Sequence, residues 1–139
     1  MQWSKLKKRF EGRLATCFQG RLAIHVTEYR NNRMDVGRGW ITLDGAEVCS
    51  VQVPSFYDDE RIYSSSTLDF GRAVGEYLNM PVDEALTSEH PIVQALAFLD
   101  KKVGKRRLQN IDTETLHDLP LTTYRLRCEL EGIVIDQPQ

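Results

Sequence analysis

The sequence predicts an α+β domain: an N-terminal helix, a three-stranded antiparallel sheet, then a helical C-terminal half. Three observations carry that expectation. Apolar residues recur at a helical period near the N-terminus, they alternate at a period of two between residues 21 and 53 around an Asp-Gly pair, and the helical period returns after residue 66. The chain has 139 residues, 41% hydrophobic and 27% charged, with nine Gly and five Pro. That composition fits one globular domain and leaves little room for a second core. The expected division of residues 1–139 is α-β-β-β over 1–54, helices over 66–132 and a tail over 133–139.

The elements follow in order. Ser4 can cap a helix from about 4 to 18, with Leu6, Phe10, Leu14, Cys17 and Phe18 on one stripe and Lys5, Lys8, Arg9 and Arg13 mostly off it. Gly12 weakens that helix by about 1 kcal/mol relative to Ala, so packing onto a sheet has to supply its stability. From Arg21 to Tyr29, Leu22, Ile24 and Val26 alternate with Ala23, His25 and Thr27 as in a half-buried strand. A second strand reads from Gly39 to Leu43. Asp44-Gly45 then suits a type I′ hairpin, because both residues tolerate positive φ, and Glu47 to Val53 returns as a third strand that Pro54 stops.

Residues 55–66 read as a polar connection. Ser66 or Thr67 can cap a helix bearing Phe70, Val74, Tyr77 and Leu78 and ending near Asn79, and Pro81 to Leu86 allows one more turn. Pro91 suits the first position of a third helix, whose stripe is Ile92, Ala95, Leu96, Leu99 and Val103 and whose C′ residue is Gly104. The last segment fits two patterns. Tyr124, Leu126, Cys128 and Leu130 alternate as in a strand, whereas Leu119, Leu126, Leu130 and Ile133 share a helical stripe between Pro120 and Gly132.

Net charge is −2, but its distribution is uneven. Residues 1–38 carry +6, residues 39–100 carry −9, residues 101–107 carry +5 and residues 108–139 carry −4. Two basic segments therefore flank an acidic middle. Clustered Lys and Arg raise the local potential even on a near-neutral protein, so one reading is a shared face for a phosphate-rich partner. The rival reading is internal compensation, with the 101–107 cluster at a helix C-terminus, where cations are favoured by about 0.3–1 kcal/mol each. The run from Tyr29-Arg30-Asn31-Asn32-Arg33 to Arg38-Gly39-Trp40 adds amides and two aromatics, the mixture that grips phosphates and stacks on bases. The candidate nucleic-acid or anion-binding residues are thus Lys5, Lys8, Arg9, Arg30, Arg33, Arg38, Lys105, Arg106 and Arg107, with Tyr29 and Trp40 for stacking.

Other chemistries find less support. There is no CxxC or HxxxH, and His25 with Cys49 is the only local hint of a metal site. Cys17, Cys49 and Cys128 sit in apolar patterns that suit reduced, buried thiols rather than a nucleophile. Asp44 and Glu47 have the spacing of metal-dependent nuclease carboxylates, yet Asp44 is sufficiently explained by the turn, and no lysine follows on the third strand. Gly37, Gly39 and Gly45 do not lie between a strand and a helix, as a phosphate-cradling loop requires. No catalytic residue, metal or cofactor is expected. The absence of a long apolar segment excludes a membrane span, and no secretory leader is expected at the basic N-terminus, so residence in the cytoplasm is the expectation.

The stretches Trp3-Ser4-Lys5-Leu6-Lys7-Lys8, Gly39-Trp40-Ile41-Thr42-Leu43-Asp44-Gly45, Glu76-Tyr77-Leu78-Asn79 and Leu99-Asp100-Lys101-Lys102-Val103-Gly104-Lys105-Arg106-Arg107-Leu108 together resemble an uncharacterised family of small bacterial proteins. The resemblance spans nearly the whole chain, implies fold and origin but no activity, and implies a helical form for 126–132. The order α-β-β-β-α also matches double-stranded RNA-binding domains. The second helix here begins Ser66-Thr67-Leu68-Asp69, without the lysine cluster such a domain places there, so that likeness stays at the order of elements. The expected function is a non-catalytic binding module for a polyanion, nucleic acid foremost. The alternatives are a protein-interaction adaptor or homodimer anchored on Trp3, Phe56 and Tyr57, and a small enzyme whose polar groups converge only in three dimensions.

Overall fold

A computed structural model describes residues 3–27, 38–52 and 70–133. The chain is α+β, as expected. Helix α1 (Trp3–Glu11) precedes strands β1 (Leu22–Thr27), β2 (Arg38–Leu43) and β3 (Ala46–Gln52), and helices α2 (Phe70–Leu78), α3 (Val82–Leu86), α4 (Pro91–Ala97), α5 (Lys105–Gln109) and α6 (Asp118–Glu131) follow. The strands form one antiparallel sheet in the order β1-β2-β3. Asp44 and Gly45 have φ of 54° and 87°, the left-handed pair that a tight hairpin requires. A β-bulge between Ile41 and Thr42 shifts the β2–β3 register, so that Ile41 faces Cys49 while Thr42 faces Glu47.

One face of the sheet buries Leu22, Ile24 and Ile41 against Phe10 of α1 and against Ala73, Val74 and Tyr77 of α2. Phe70 comes so close to β2 that a Cβ on Gly39 would lie 2.4 Å from its ring, which is why a residue without a side chain stands there. Trp3 packs on Phe70 at a centroid distance of 6.2 Å and is half-buried, so it serves the fold. The other two residues of the adaptor reading, Phe56 and Tyr57, lie outside the described residues, as do the proposed caps Ser66 and Thr67. Helix α1 is also tied to β1 through polar groups. Lys7 donates its ammonium to the Ile24 carbonyl, Glu11 accepts the Ile24 amide at 3.1 Å, and the two side chains pair with each other at 3.1 Å.

A second apolar cluster of Phe98, Val103, Leu108, Tyr124, Cys128 and Ile133 lies between α5 and α6. Ile133, placed in the tail by the sequence reading, is 8% exposed and part of this cluster, and residues 134–139 lie outside the described residues. The segment with two competing patterns is helical. Gly132 closes α6 at φ 69°, and the Ile133 amide reaches back to the Cys128 carbonyl at 2.9 Å, a Schellman closure that a continuing strand would forgo.

Two expected helices end early, for one shared reason. The first stops at Glu11 rather than near 18, and only a 3₁₀ turn, Thr16–Phe18, follows. The third stops at Ala97, and Gly104, expected as its C′ residue, instead begins α5 with an extended backbone. Between those two ends, Leu14 and Asp100 form an isolated antiparallel bridge, with Ala15 N donating to Leu99 O and Lys101 N to Arg13 O, both at 2.9 Å. Backbone groups that helices would have used internally bond across the molecule instead.

Candidate functional site

The crossing at Leu14 and Asp100 decides where the charged residues go. Asp100 is 0% exposed, and its carboxylate lies beneath a surface loop. Arg13 reaches it through Nε at 3.1 Å and through a terminal nitrogen at 3.0 Å, Tyr77 donates its hydroxyl to the same oxygen, and the Lys102 amide donates to the other oxygen at 2.9 Å. The Arg13 guanidinium also stands 5.0 Å from the centroid of the Tyr77 ring. Burial, followed by the bond to Asp100, pushes the Tyr77 hydroxyl far above its ordinary pKa, so it remains a donor to the carboxylate. A buried carboxylate is stable only when paired and hydrogen-bonded, and Asp100 is both.

Arg127 of α6 holds the same loop from the other side. It is 3% exposed and donates to three main-chain carbonyls, those of Phe98 at 2.9 Å, Asp100 at 3.0 Å and Val103 at 2.6 Å, while its Nε meets Glu131. Residues 98–103 thus wrap a guanidinium whose planar fork satisfies carbonyls that no helix or strand claims. The loop carries Lys101 and Lys102 on its outer side, both exposed.

The predicted basic residues fall into three groups. Lys5, Lys8 and Arg9 are exposed on α1, and Lys105 and Arg106 are exposed on α5. Arg107, also on α5, pairs with Asp83 of α3 at 2.6 Å, which neutralises it. Tyr29, Arg30 and Arg33 lie outside the described residues, as does the side chain of Arg38, whose backbone opens β2. The crossing brings the two basic segments into contact, since the Lys101 amide sits on the carbonyl of Arg13, two residues beyond the end of α1. Among the described residues, Lys5, Lys8, Lys101, Lys102, Lys105 and Arg106 have no ion-pair partner.

Sequence reasoning passed over Asp100 and left Lys101 and Lys102 out of the candidate site. The available signal was a carboxylate immediately ahead of five cations in seven residues, a poor position for a solvated Asp on an otherwise apolar stripe. The cluster is divided between the loop and α5, whose last turn holds Arg106 and Arg107, where cations are favoured. Lys105 is the first residue of α5, where the macrodipole opposes a cation.

Trp40, proposed for stacking, is half-buried and lies against His25 at 5.2 Å with 21° between the planes. The His25 Nε2 is 2.9 Å from the Thr42 hydroxyl. Desolvation first, and Lys7 second, push the imidazole below its ordinary pKa of 6.5, with Glu11 opposing. A histidine whose folded pKa is depressed binds fewer protons than in the unfolded chain. Its contribution is therefore fully present above pH 6.5 and fades as the pH falls through the lower folded value. Urea denaturation between pH 5 and 8 should show a His25-dependent rise in stability that is complete by about pH 6.5 and level above it, and His25→Gln should flatten that rise.

The thiols are unsuited to nucleophilic work. Burial pushes Cys49 up to about 12 and raises Cys17 and Cys128 as well, which keeps all three protonated at neutral pH. Among the described residues no three His, Cys, Asp or Glu side chains group as a metal site, and no helix is long and apolar enough to cross a membrane. Asp44, the nuclease candidate, is engaged by Arg21 at 2.8 and 3.0 Å, and that hydrogen bonding lowers its pKa. The arrangement is therefore a set of cations on a firmly held backbone.

The model of one family, the SF0329 protein family, matches residues 2–65 and 56–128. Neither the curated proteins nor the solved structures contain a significant match to the chain.

Proposed function

Taking membership of the SF0329 protein family as the premise, we propose that this chain is a non-catalytic bacterial cytoplasmic module that binds a polyanion, nucleic acid being the chemistry its surface suits best. One observation carries the reading. The bond from Lys101 N to Arg13 O ties the loop that bears the exposed Lys101 and Lys102 to the backbone two residues beyond α1, which supports reading the two basic segments as parts of one surface. Cations without partners, on a loop whose backbone is anchored from below, suit phosphate contacts, because they are free to pair and the backbone beneath them needs little further ordering when the ligand arrives.

The test is fluorescence anisotropy with a labelled 20-base-pair duplex and its single strand. If four cations release counterions, the slope of log affinity against log salt is about −3.6, and affinity falls about a hundredfold between 50 and 200 mM salt. Reversing Lys101 and Lys102 together should weaken binding whatever the base sequence, whereas Arg107→Gln, already neutralised by Asp83, should change it little. Undetectable binding at 50 mM salt, or binding indifferent to salt, overturns the reading.

A further inference from the structure

Beyond that reading, and independent of it, a groove between α3 and the segment entering α6 has the character of a ligand site, and we infer that it takes a small organic cation, an apolar body bearing an ammonium or guanidinium group. The groove has a volume of about 560 Å³, within the range of roughly 300–1,000 Å³ usual for small-molecule sites. Leu86, Ile111 and Leu116 line it and are half-buried, which provides an apolar surface for the body of a ligand.

The charge of the lining is one-sided. Gln94 donates its Nε2 to the Leu86 carbonyl at 2.9 Å, and Asn110 donates its Nδ2 to the Arg106 carbonyl at 3.0 Å. Each amide has one N–H engaged by the protein and keeps its oxygen as an acceptor beside a second N–H. Asp112 accepts the Glu114 amide through one oxygen at 3.1 Å, so its second oxygen remains, and Glu89 adds another carboxylate. Among the described residues that line the groove there is no lysine or arginine, and His117 is the one side chain able to carry positive charge. Two carboxylates beside apolar walls, with no lysine or arginine in the lining, select a ligand that carries a positive charge and oppose an anion.

Tryptamine is a suitable probe, with the neutral alcohol tryptophol and the anion indole-3-acetate as controls of similar shape. In ¹H–¹⁵N spectra of the whole chain, tryptamine should saturate shifts confined to the amides of 86–89, 94 and 110–117. Tryptophol should bind more weakly and indole-3-acetate at least tenfold more weakly. Glu89→Gln and Asp112→Asn should each weaken tryptamine about two- to fivefold, as exposed charge pairs do. Asn at 112 keeps an oxygen for the Glu114 amide, so the local fold survives the substitution. Equal affinity for tryptamine and tryptophol, shifts that do not saturate, or shifts centred elsewhere would overturn the inference.

Discussion

Asp100→Ala should lower the free energy of unfolding by about 3 kcal/mol, read from urea denaturation at pH 7 and low salt. The carboxylate is wholly buried and receives Arg13, the Tyr77 hydroxyl and the Lys102 amide. Breaking a buried pair by removing one partner costs roughly 3–5 kcal/mol, because the other groups stay behind without a match. Arg13 retains 23% of its side-chain exposure and can recover some hydration, which places the expected loss at the lower end. The Tyr77 hydroxyl cannot, and an orphaned buried donor costs about 1–3 kcal/mol by itself. Asp100→Asn keeps the shape and an acceptor for Lys102, so it should lose less. Tyr77→Phe in the Asp100→Ala background should then cost less than in the native chain, since the hydroxyl has already lost its acceptor. Additive losses from the two substitutions would show that the carboxylate and the hydroxyl do not depend on each other.

Arg127→Met is the second large expectation, again about 3 kcal/mol or more. Met fills much of the space of the arginine stem but donates nothing, leaving the carbonyls of Phe98, Asp100 and Val103 without the guanidinium. Arg127→Lys should be nearly as damaging, because three ammonium donors on a flexible stem cannot reproduce a planar fork directed at three separate carbonyls. Hydrogen exchange gives a sharper readout than global stability. Amides such as Lys101 N, bonded to Arg13 O, and Val103 N, bonded to Asp100 O, should exchange faster in Arg127→Met, while those of β2 follow only the global change. Unchanged protection at Lys101 and Val103 would mean that the loop holds its shape without α6.

The hairpin, the three antiparallel strands and the existence of most helices were legible in the sequence because each follows from local chemistry. Asp44-Gly45 supplies the positive φ that the turn needs, Pro91 opens α4, and Gly132 takes the left-handed closure of α6. The helix ends were not legible. Phe10, Leu14 and Phe18 recur at a helical spacing although the helix stops at Glu11, since a residue can be buried from a turn as well as from a helix. What stops α1 and α4 is a pairing between Leu14 and Asp100, 86 positions apart along the chain, and no pattern within a local window encodes it. The candidate site divides the same way. The exposed cations of α1 and α5 could be read from composition, whereas the contact between the two basic segments depends on that crossing. The pairing of Arg107 with Asp83 likewise came only with the packing of α5 beside α3. Arg127 was hidden by its type, since nothing in the alternating segment sets it apart from the exposed or half-exposed Arg125, Glu129 and Glu131.

The bonds that Lys7 and Glu11 make to Ile24 close the middle of one border of the sheet to a further strand. β1 is an outer strand, and the amide and carbonyl of Ile24 point away from β2, where a strand from another molecule could add to the ladder. Two side chains of α1 occupy both positions at the middle of that border, so the helix serves as a plug against templated growth. The plug works only after α1 has docked. A chain whose sheet forms before its first helix seats itself carries an open border for that interval, and a nascent chain is spared much of it because α1 leaves the ribosome ahead of the strands it protects.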